Sequence, residues 1–284
     1  MSRSPKTCPA LEAALARHAA ADPTPLATTP AARLYRVTSR HGPAILKLYP
    51  RGHAGNEAPA AALMAAWGPP MVRIHAHATD SLLMEPLDGP SLGELSRKGQ
   101  DHSANALLAA TARALHASRP AATPGLTPLA SYLAPLFDTG FAPDCPVALR
   151  KAITTAQSLA RSLLDTSPQP VPLHGDLHHD NVILTPNGPR AFDAKGLLGD
   201  PAFELANALR NPRGIPQLLR TPRRLATARA ECAKALDVPE PRLAAWAAVK
   251  CAHSIALRTR GTVTTDPEAD LLALLLSDPH IQHI

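Results

Sequence analysis

At 284 residues the chain is longer than one hydrophobic core usually serves, so two packed lobes of unequal length are expected. Its 31 Pro and 15 Gly stay below the level of a low-complexity chain, and the most apolar stretch, Leu243 to Leu257, is interrupted by Lys250 and His253, which argues against a membrane span. A formal charge of +6 suits an anionic ligand, but the basic residues are scattered and only 3% of residues are aromatic, which argues against nucleic acid as the partner.

Leu11, Leu15 and His18 recur at helical spacing and predict a short amphipathic helix ending before Asp22-Pro23. Arg33 to Ser39 reads as a strand, Gly42-Pro43 as a turn, and Ala44 to Tyr49 as the hairpin partner. An alanine-rich helix is expected from His53 to Trp67, with Pro59 tolerated only in its first turn. Val72 to Ala78 and Leu82 to Glu85 predict two more strands around Thr79-Asp80-Ser81. From Ser91 onward the pattern is mostly helical: Ser91 to Arg97, His102 to Ser118, Leu126 to Leu136, Val147 to Leu164, and a further set after residue 200. Pro172 to Phe192 is the exception, a polar loop followed by two β-like runs, Val182-Ile183-Leu184 and Arg190-Ala191-Phe192. The four cysteines, Cys8, Cys145, Cys232 and Cys251, form no C-x-x-C pair and signal neither a disulfide framework nor a thiolate zinc site. With Glu12 and Arg17 breaking any apolar leader, the expectation is a soluble cytoplasmic protein.

The polar loop carries the chemistry. In His174-Gly175-Asp176-Leu177-His178-His179-Asp180-Asn181, followed by Asp193 twelve residues on, three oxygen-bearing side chains stand where phosphoryl transfer needs them. Asp176 is the candidate to receive the proton of an attacking hydroxyl. Asn181 and Asp193 offer the mixed neutral and charged oxygens that suit Mg²⁺, a cation that takes few protein ligands. Each alone would read as a turn residue; the three intervals together make the signal. Lys47, mid-strand, can reach nucleotide phosphates, and Glu57 can pair with it, although an edge-strand lysine and a helix-start glutamate are the plain alternatives. Met84, Glu85 and Leu87 in the segment Met84-Glu85-Pro86-Leu87-Asp88-Gly89 can offer backbone groups to adenine, or simply link the two halves. Lys195 can neutralise charge on the moving phosphoryl group, or be a turn lysine before Gly196. Asp200-Pro201 resembles a helix cap, and Glu204 is placed to buttress the loop from beneath. A zinc site made by His174, His178 and His179 has no familiar spacing, and His174 is expected to hydrogen-bond within the loop.

These residues resemble the aminoglycoside phosphotransferase group of the protein-kinase-like fold, whose catalytic loop reads H-G-D-x-x-x-x-N where protein kinases have H-R-D-x-x-x-x-N. Asp193-Ala194-Lys195-Gly196-Leu197-Leu198-Gly199-Asp200-Pro201 is similar to the branch of streptomycin 6-kinases and hydroxyurea-resistance kinases. The resemblance implies an α+β, bilobal protein-kinase-like fold. A small β-sheet lobe with one helix would span residues 1–86 and a larger, mainly helical lobe residues 87–284. It implies ATP and Mg²⁺ in the cleft and transfer to a hydroxyl of a small molecule, an aminoglycoside such as streptomycin. Asp176 would then be the base, Asn181 and Asp193 the metal ligands, and Lys47 with Glu57 the phosphate clamp. Two features depart from the pattern: Leu26 to Ala32, which should cover the phosphates, has no glycine, and Glu204 stands where the wider group more often has aspartate. The acidic group Asp266, Glu268 and Asp270 is the candidate surface for a polycationic acceptor, or a solvated helix start. A kinase of an amino alcohol, sugar or nucleoside, and a non-catalytic nucleotide-binding module, are the alternatives.

Overall fold

The computed structural model describes residues 8–54, 58–120 and 123–283. Helix α1 (Pro9–Arg17) opens with proline in its first turn, where a missing N–H forfeits no hydrogen bond. Its Leu11 and Ala14 pack on Val37, Leu46 and Leu83 of a five-stranded antiparallel sheet. The strands are β1 (Ala20–Thr28), β2 (Arg33–Ser39), β3 (Gly42–Leu48), β4 (Ile74–His77) and β5 (Ser81–Met84), in spatial order β1-β2-β3-β5-β4.

Strands β2 to β5 lie close to where the sequence places them, whereas β1 is a strand the sequence reading did not anticipate, and it contains Pro23 and Pro25. The strand exists because it lies on the sheet edge, with one register shift spanning Asp22-Pro23 and a second following Pro25, so the absent donors interrupt little of the ladder. Helix α2 (Ala58–Ala66) is shorter than the expected His53 to Trp67. Ala54 donates its amide to the carbonyl of Thr79 (3.0 Å), which holds Ala54 against the β4–β5 turn, and Pro59 is the second residue of the described part of the helix.

Past β5 the chain is mainly helical. Ser91 and Glu94 form a reciprocal capping box at the start of α3 (Leu92–Arg97), and α4 (Asp101–Ala117) follows. The helix expected over Leu126 to Leu136 is divided into β6 (Thr127–Pro128), α5 (Leu129–Tyr132) and α6 (Ala134–Phe137). Pro128 and Pro135 are accommodated at or beside helix starts and cannot lie within one continuous helix. After β7 (Gly140–Phe141), α7 (Val147–Asp165) presents one buried face of Leu149, Ile153, Ala156, Ala160 and Leu163, the spacing of an amphipathic helix.

The polar segment is mounted on β8 (Val171–Leu173), the hairpin β9 (Val182–Thr185) and β10 (Gly188–Ala191), and β11 (Leu197–Gly199). β11 runs antiparallel to β8 and parallel to β6, so the chain returns under its own loop. The remainder is α8 (Pro216–Leu219), α9 (Pro222–Leu236), α10 (Glu240–Arg258), β12 (Thr262–Val263) and α11 (Ala269–Leu276). Helix α10 is buried from Leu243 through Ala256, packed by α7, α9 and α11. A helix apolar all round is a core helix here: among the described residues none is long and apolar enough to cross a membrane.

Candidate active site

The H-G-D loop hangs on a buried carboxylate. Glu204 accepts hydrogen bonds from the backbone amides of His174 (2.9 Å) and Gly175 (3.0 Å), and His116 approaches the same side chain at 3.2 Å. Burial, the largest single influence, pushes the Glu204 carboxyl up, yet His116, His174 and the Gly175 amide together hold it below its ordinary value. The buttress expected beneath the loop is therefore present. Gly175 has φ +78°, and a Cβ there would lie 2.6 Å from Leu197 Cγ, so the position that carries arginine in many protein kinases has no room for any side chain. The Nε2 atom of His174 meets the carbonyl of Phe192 (3.0 Å), and the Lys195 amide donates to the carbonyl of His174 (2.7 Å), which sews the Asp176 loop to the Asp193 loop.

Asn181 ends a single turn of 3₁₀ helix (His179–Asn181) and donates from Nδ2 to the carbonyl of Asp176 (2.9 Å), which turns its amide oxygen to the other side. Asp193 takes φ +62°, a left-handed conformation that a short polar side chain tolerates, and its Oδ1 accepts from Lys47 Nζ at 2.6 Å. Lys47 is in β3, opposite Leu34 of β2 and Leu82 of β5, and 146 residues of chain separate it from Asp193. Burial opposes ionisation of Asp193, but the charges of Lys47 and Lys195 keep its carboxyl below the usual range. Asp176 is held well below that range: burial again works the other way, and Lys250, His178, Lys195 and His174 outweigh it.

Lys47 and Asp193 line a cavity of about 170 Å³ with Ala27, Thr29, Leu34 and Met84. Of the three residues expected at adenine, Met84 is on this wall, whereas Glu85 and Leu87 line a separate groove with Asn187 and Arg190. Both the amide and the carboxylate of Glu85 are engaged with backbone groups of Arg73. Glu57 lies outside the described residues. The glycine-free cover is the tight turn after β1, where Thr29 Oγ1 accepts from the amides of Ala31 (3.3 Å) and Ala32 (3.0 Å); those two donors are turned inward.

Sequence reasoning missed Asn207 and Lys250. Asn207 Nδ2 donates to Asp176 Oδ1 (2.8 Å), and Lys250 Nζ is 3.9 Å from the same oxygen while donating to the Tyr132 hydroxyl (2.6 Å). The signal for Lys250 was a charge within an otherwise apolar stretch, read only as evidence against a membrane span. The acidic group near the C-terminus is engaged with arginines. Asp266 pairs with Arg258 (2.7 Å), Glu268 with Arg210 (2.6 Å) and Arg258 (2.8 Å), and Asp270 with Arg220, so these carboxylates are neutralised internally. The three histidines of the loop turn to different partners: His174 to Phe192, His178 to the Asp180 amide and His179 to Asn105.

A small antiparallel sheet packed on a helical lobe, with a strand lysine reaching a carboxylate beside an H-G-D loop, defines a phosphotransferase of the protein-kinase-like class. The chain belongs to the aminoglycoside/hydroxyurea antibiotic resistance kinase family, whose model matches residues 17–261. It is 37% identical to a streptomycin 3''-kinase of Klebsiella pneumoniae over 192 residues, 66% of this chain and 68% of that protein. Among solved structures it is similar to a choline/ethanolamine kinase family protein from Mesorhizobium loti, with TM-score 0.66, 17% identity, and 92% and 90% of the two chains covered. It is also similar to the aminoglycoside phosphotransferase APH(3'')-Id from Streptomyces rimosus, with TM-score 0.57, 22% identity, and 86% and 95% covered. The protein is thus a kinase that transfers phosphate from ATP to a hydroxyl group of a small molecule.

Proposed function

We propose that the acceptor is an aminoglycoside, with streptomycin favoured, and that Asp176 receives its hydroxyl in a cleft between residues 1–86 and 87–284. The observation that carries the chemistry is the Lys47–Asp193 pair on the cavity wall, joined through the stitched loops to Asp176 and Asn181. The similarity to a streptomycin 3''-kinase supports the acceptor.

In this reading Lys47 exchanges part of its contact with Asp193 for nucleotide phosphate, and Met84 borders the adenine. Glu57, next to the first turn of α2, is the further candidate to hold Lys47, and the backbone of Glu85 and Leu87 continues the segment beside the base. Asn181 and Asp193 fit Mg²⁺: both present hard oxygens, and the Asn181 nitrogen is engaged on the opposite side. When bound there, the ion supplies positive charge to the phosphate oxygens. Lys195, whose charge acts on both Asp176 and Asp193, offsets charge on the group in transit. Asp176 is ionised, so it orients the hydroxyl and takes its proton late, which suits a loose transition state in which the nucleophile is barely bonded. An ATP-consuming reaction of this kind fits a cytoplasmic protein.

Asp176→Asn tests the role. Streptomycin-dependent ADP release is expected to fall by roughly 10²–10⁴-fold in a variant that circular dichroism shows to be folded, and wild-type turnover in that variant rejects the mechanism. A second acceptor class has one observation in its favour. Because Asp266, Glu268 and Asp270 are paired internally, an acceptor with fewer cationic groups, such as a sugar or hydroxyurea, meets no shortage of carboxylates. ADP release measured across streptomycin, other aminoglycosides, sugars, amino alcohols and hydroxyurea separates the two.

A further inference from the structure

We propose that Asn207 and Lys250 form a clamp on one oxygen of Asp176, Oδ1, and thereby assign the other, Oδ2, to the acceptor hydroxyl. The inference rests on the reading of Asp176 as the group that receives that hydroxyl. Both contacts fall on the same atom: the Asn207 amide at 2.8 Å and the Lys250 ammonium at 3.9 Å. A carboxylate gripped at one oxygen cannot rotate about its Cβ–Cγ bond, so the remaining oxygen keeps one direction.

The clamp is itself held. Asn207 Oδ1 accepts from Arg210 Nη1 (2.9 Å), so the amide cannot flip without setting its N–H groups against a guanidinium. Arg210 in turn donates to both oxygens of Glu268 (2.9 and 2.6 Å), beside α11, and the Asn207 carbonyl accepts from Asn211 (2.8 Å). Lys250 projects from the buried helix α10, is 4% exposed, and is seated by the Tyr132 hydroxyl and over the rings of Tyr132 (4.9 Å) and Phe203 (6.0 Å). A cation taken that far from water needs a carboxylate counterpart, and the one it faces is the group that must meet the substrate. Asn207 and Lys250 are positioning residues: they act through Asp176.

The test uses the full chain with ATP, Mg²⁺ and streptomycin, in the variants Asn207→Ala, Lys250→Met and Tyr132→Phe, with circular dichroism to confirm folding. A clamp predicts that kcat falls about 10- to 100-fold in the first two variants while KM for ATP stays within about twofold, because only the alignment of the hydroxyl is lost. Tyr132→Phe, which removes the seat and keeps the ring, is expected to lower kcat by about 3- to 10-fold, and in a fourth variant, Lys250→Ala, added methylammonium is expected to restore part of kcat. A kcat within about threefold of wild type in both Asn207→Ala and Lys250→Met overturns the clamp, as does a rise in KM for ATP that matches the loss of kcat. Should Lys250→Met fail to fold, unchanged kcat in Asn207→Ala and Tyr132→Phe overturns it equally. Asp176→Asn separates the layers: an inactive Asp176→Asn beside fully active clamp variants removes only the clamp, whereas an active Asp176→Asn removes the reading beneath it.

Discussion

Glu204 shows how much one side chain can organise. Fully buried, it gives one oxygen to the amide of His174 and the other to that of Gly175, immediately before Asp176. Replacing it by alanine leaves two buried donors without acceptors, at a cost of about 2–4 kcal/mol, since an unmade buried hydrogen bond costs more than a made one contributes. Glu204→Gln keeps one acceptor oxygen and is expected to lose about half as much. Urea unfolding of the two variants checks the order. If the loop hangs on this carboxylate, kcat falls in the same order, Glu204→Ala below Glu204→Gln; equal stability of Glu204→Ala and wild type would sink the account.

Helix α2 and the segment after Asp193 meet with no space to spare. Gly196 has φ +67°, and a Cβ there would lie 2.7 Å from the backbone nitrogen of Ala60 and 2.8 Å from the carbonyl carbon of Pro59. Backbone cannot swing aside as a long side chain can, so any larger residue drives the first turn of α2 away from β11. The helix also carries Met64, on the wall of the cavity that Lys47 and Asp193 line. Gly196→Ala is therefore expected to raise KM for ATP several-fold and to destabilise by more than the roughly 1 kcal/mol of a strained φ alone. Gly188→Ala is the control, because its φ of +97° is strained but nothing lies within 4 Å of the added carbon. ATP titrations of both variants decide the point: KM moving equally in the two would deny any special contact between Gly196 and α2.

Across the whole molecule, buried histidines set the acid limit. Burial, reinforced for His179 by Arg224 and for His253 by Lys250, pushes each imidazole down to about 3. Both stay neutral in the native state while the unfolded chain protonates them near 6.5, so the unfolded state binds more protons and stability falls as pH drops from about 6.5 toward 3. At pH 5 the linkage amounts to about 2 kcal/mol for each histidine, or a fall in melting temperature of roughly 10 °C for a chain of this size. The carboxylates act in a lower window: Asp176, Asp193 and Glu204 have depressed values, so their contribution is present above about pH 4 and lost below it. Calorimetry from pH 8 to pH 4.5 should show the decline beginning near 6.5; a flat melting temperature down to pH 5 contradicts it.

What could be read from the chain is what local forces decide. Short runs bounded by turn residues marked β2 to β5, the helical pattern from Ser91 to Arg97 marked α3, and Asp200 was recognisable as a cap whose Oδ1 accepts from the Ala202 amide (2.9 Å). Asp176, Asn181 and Asp193 were visible as a pattern because they recur at short intervals on one loop and just past the hairpin that follows it. Tertiary structure decided the rest. Whether Pro23 and Pro25 could stand in a strand depended on that strand being an edge, a property of the sheet and not of the segment. Whether Asp266, Glu268 and Asp270 faced a substrate or an arginine depended on Arg258, Arg210 and Arg220 arriving from other elements. Asn207 and Lys250 gained meaning only when packing carried them, from 31 and 74 positions along the chain, to the same oxygen of Asp176. The physical reason is range: hydrogen bonds of turns and caps act between near neighbours, whereas the partner of a buried charge is selected by which elements the core brings together.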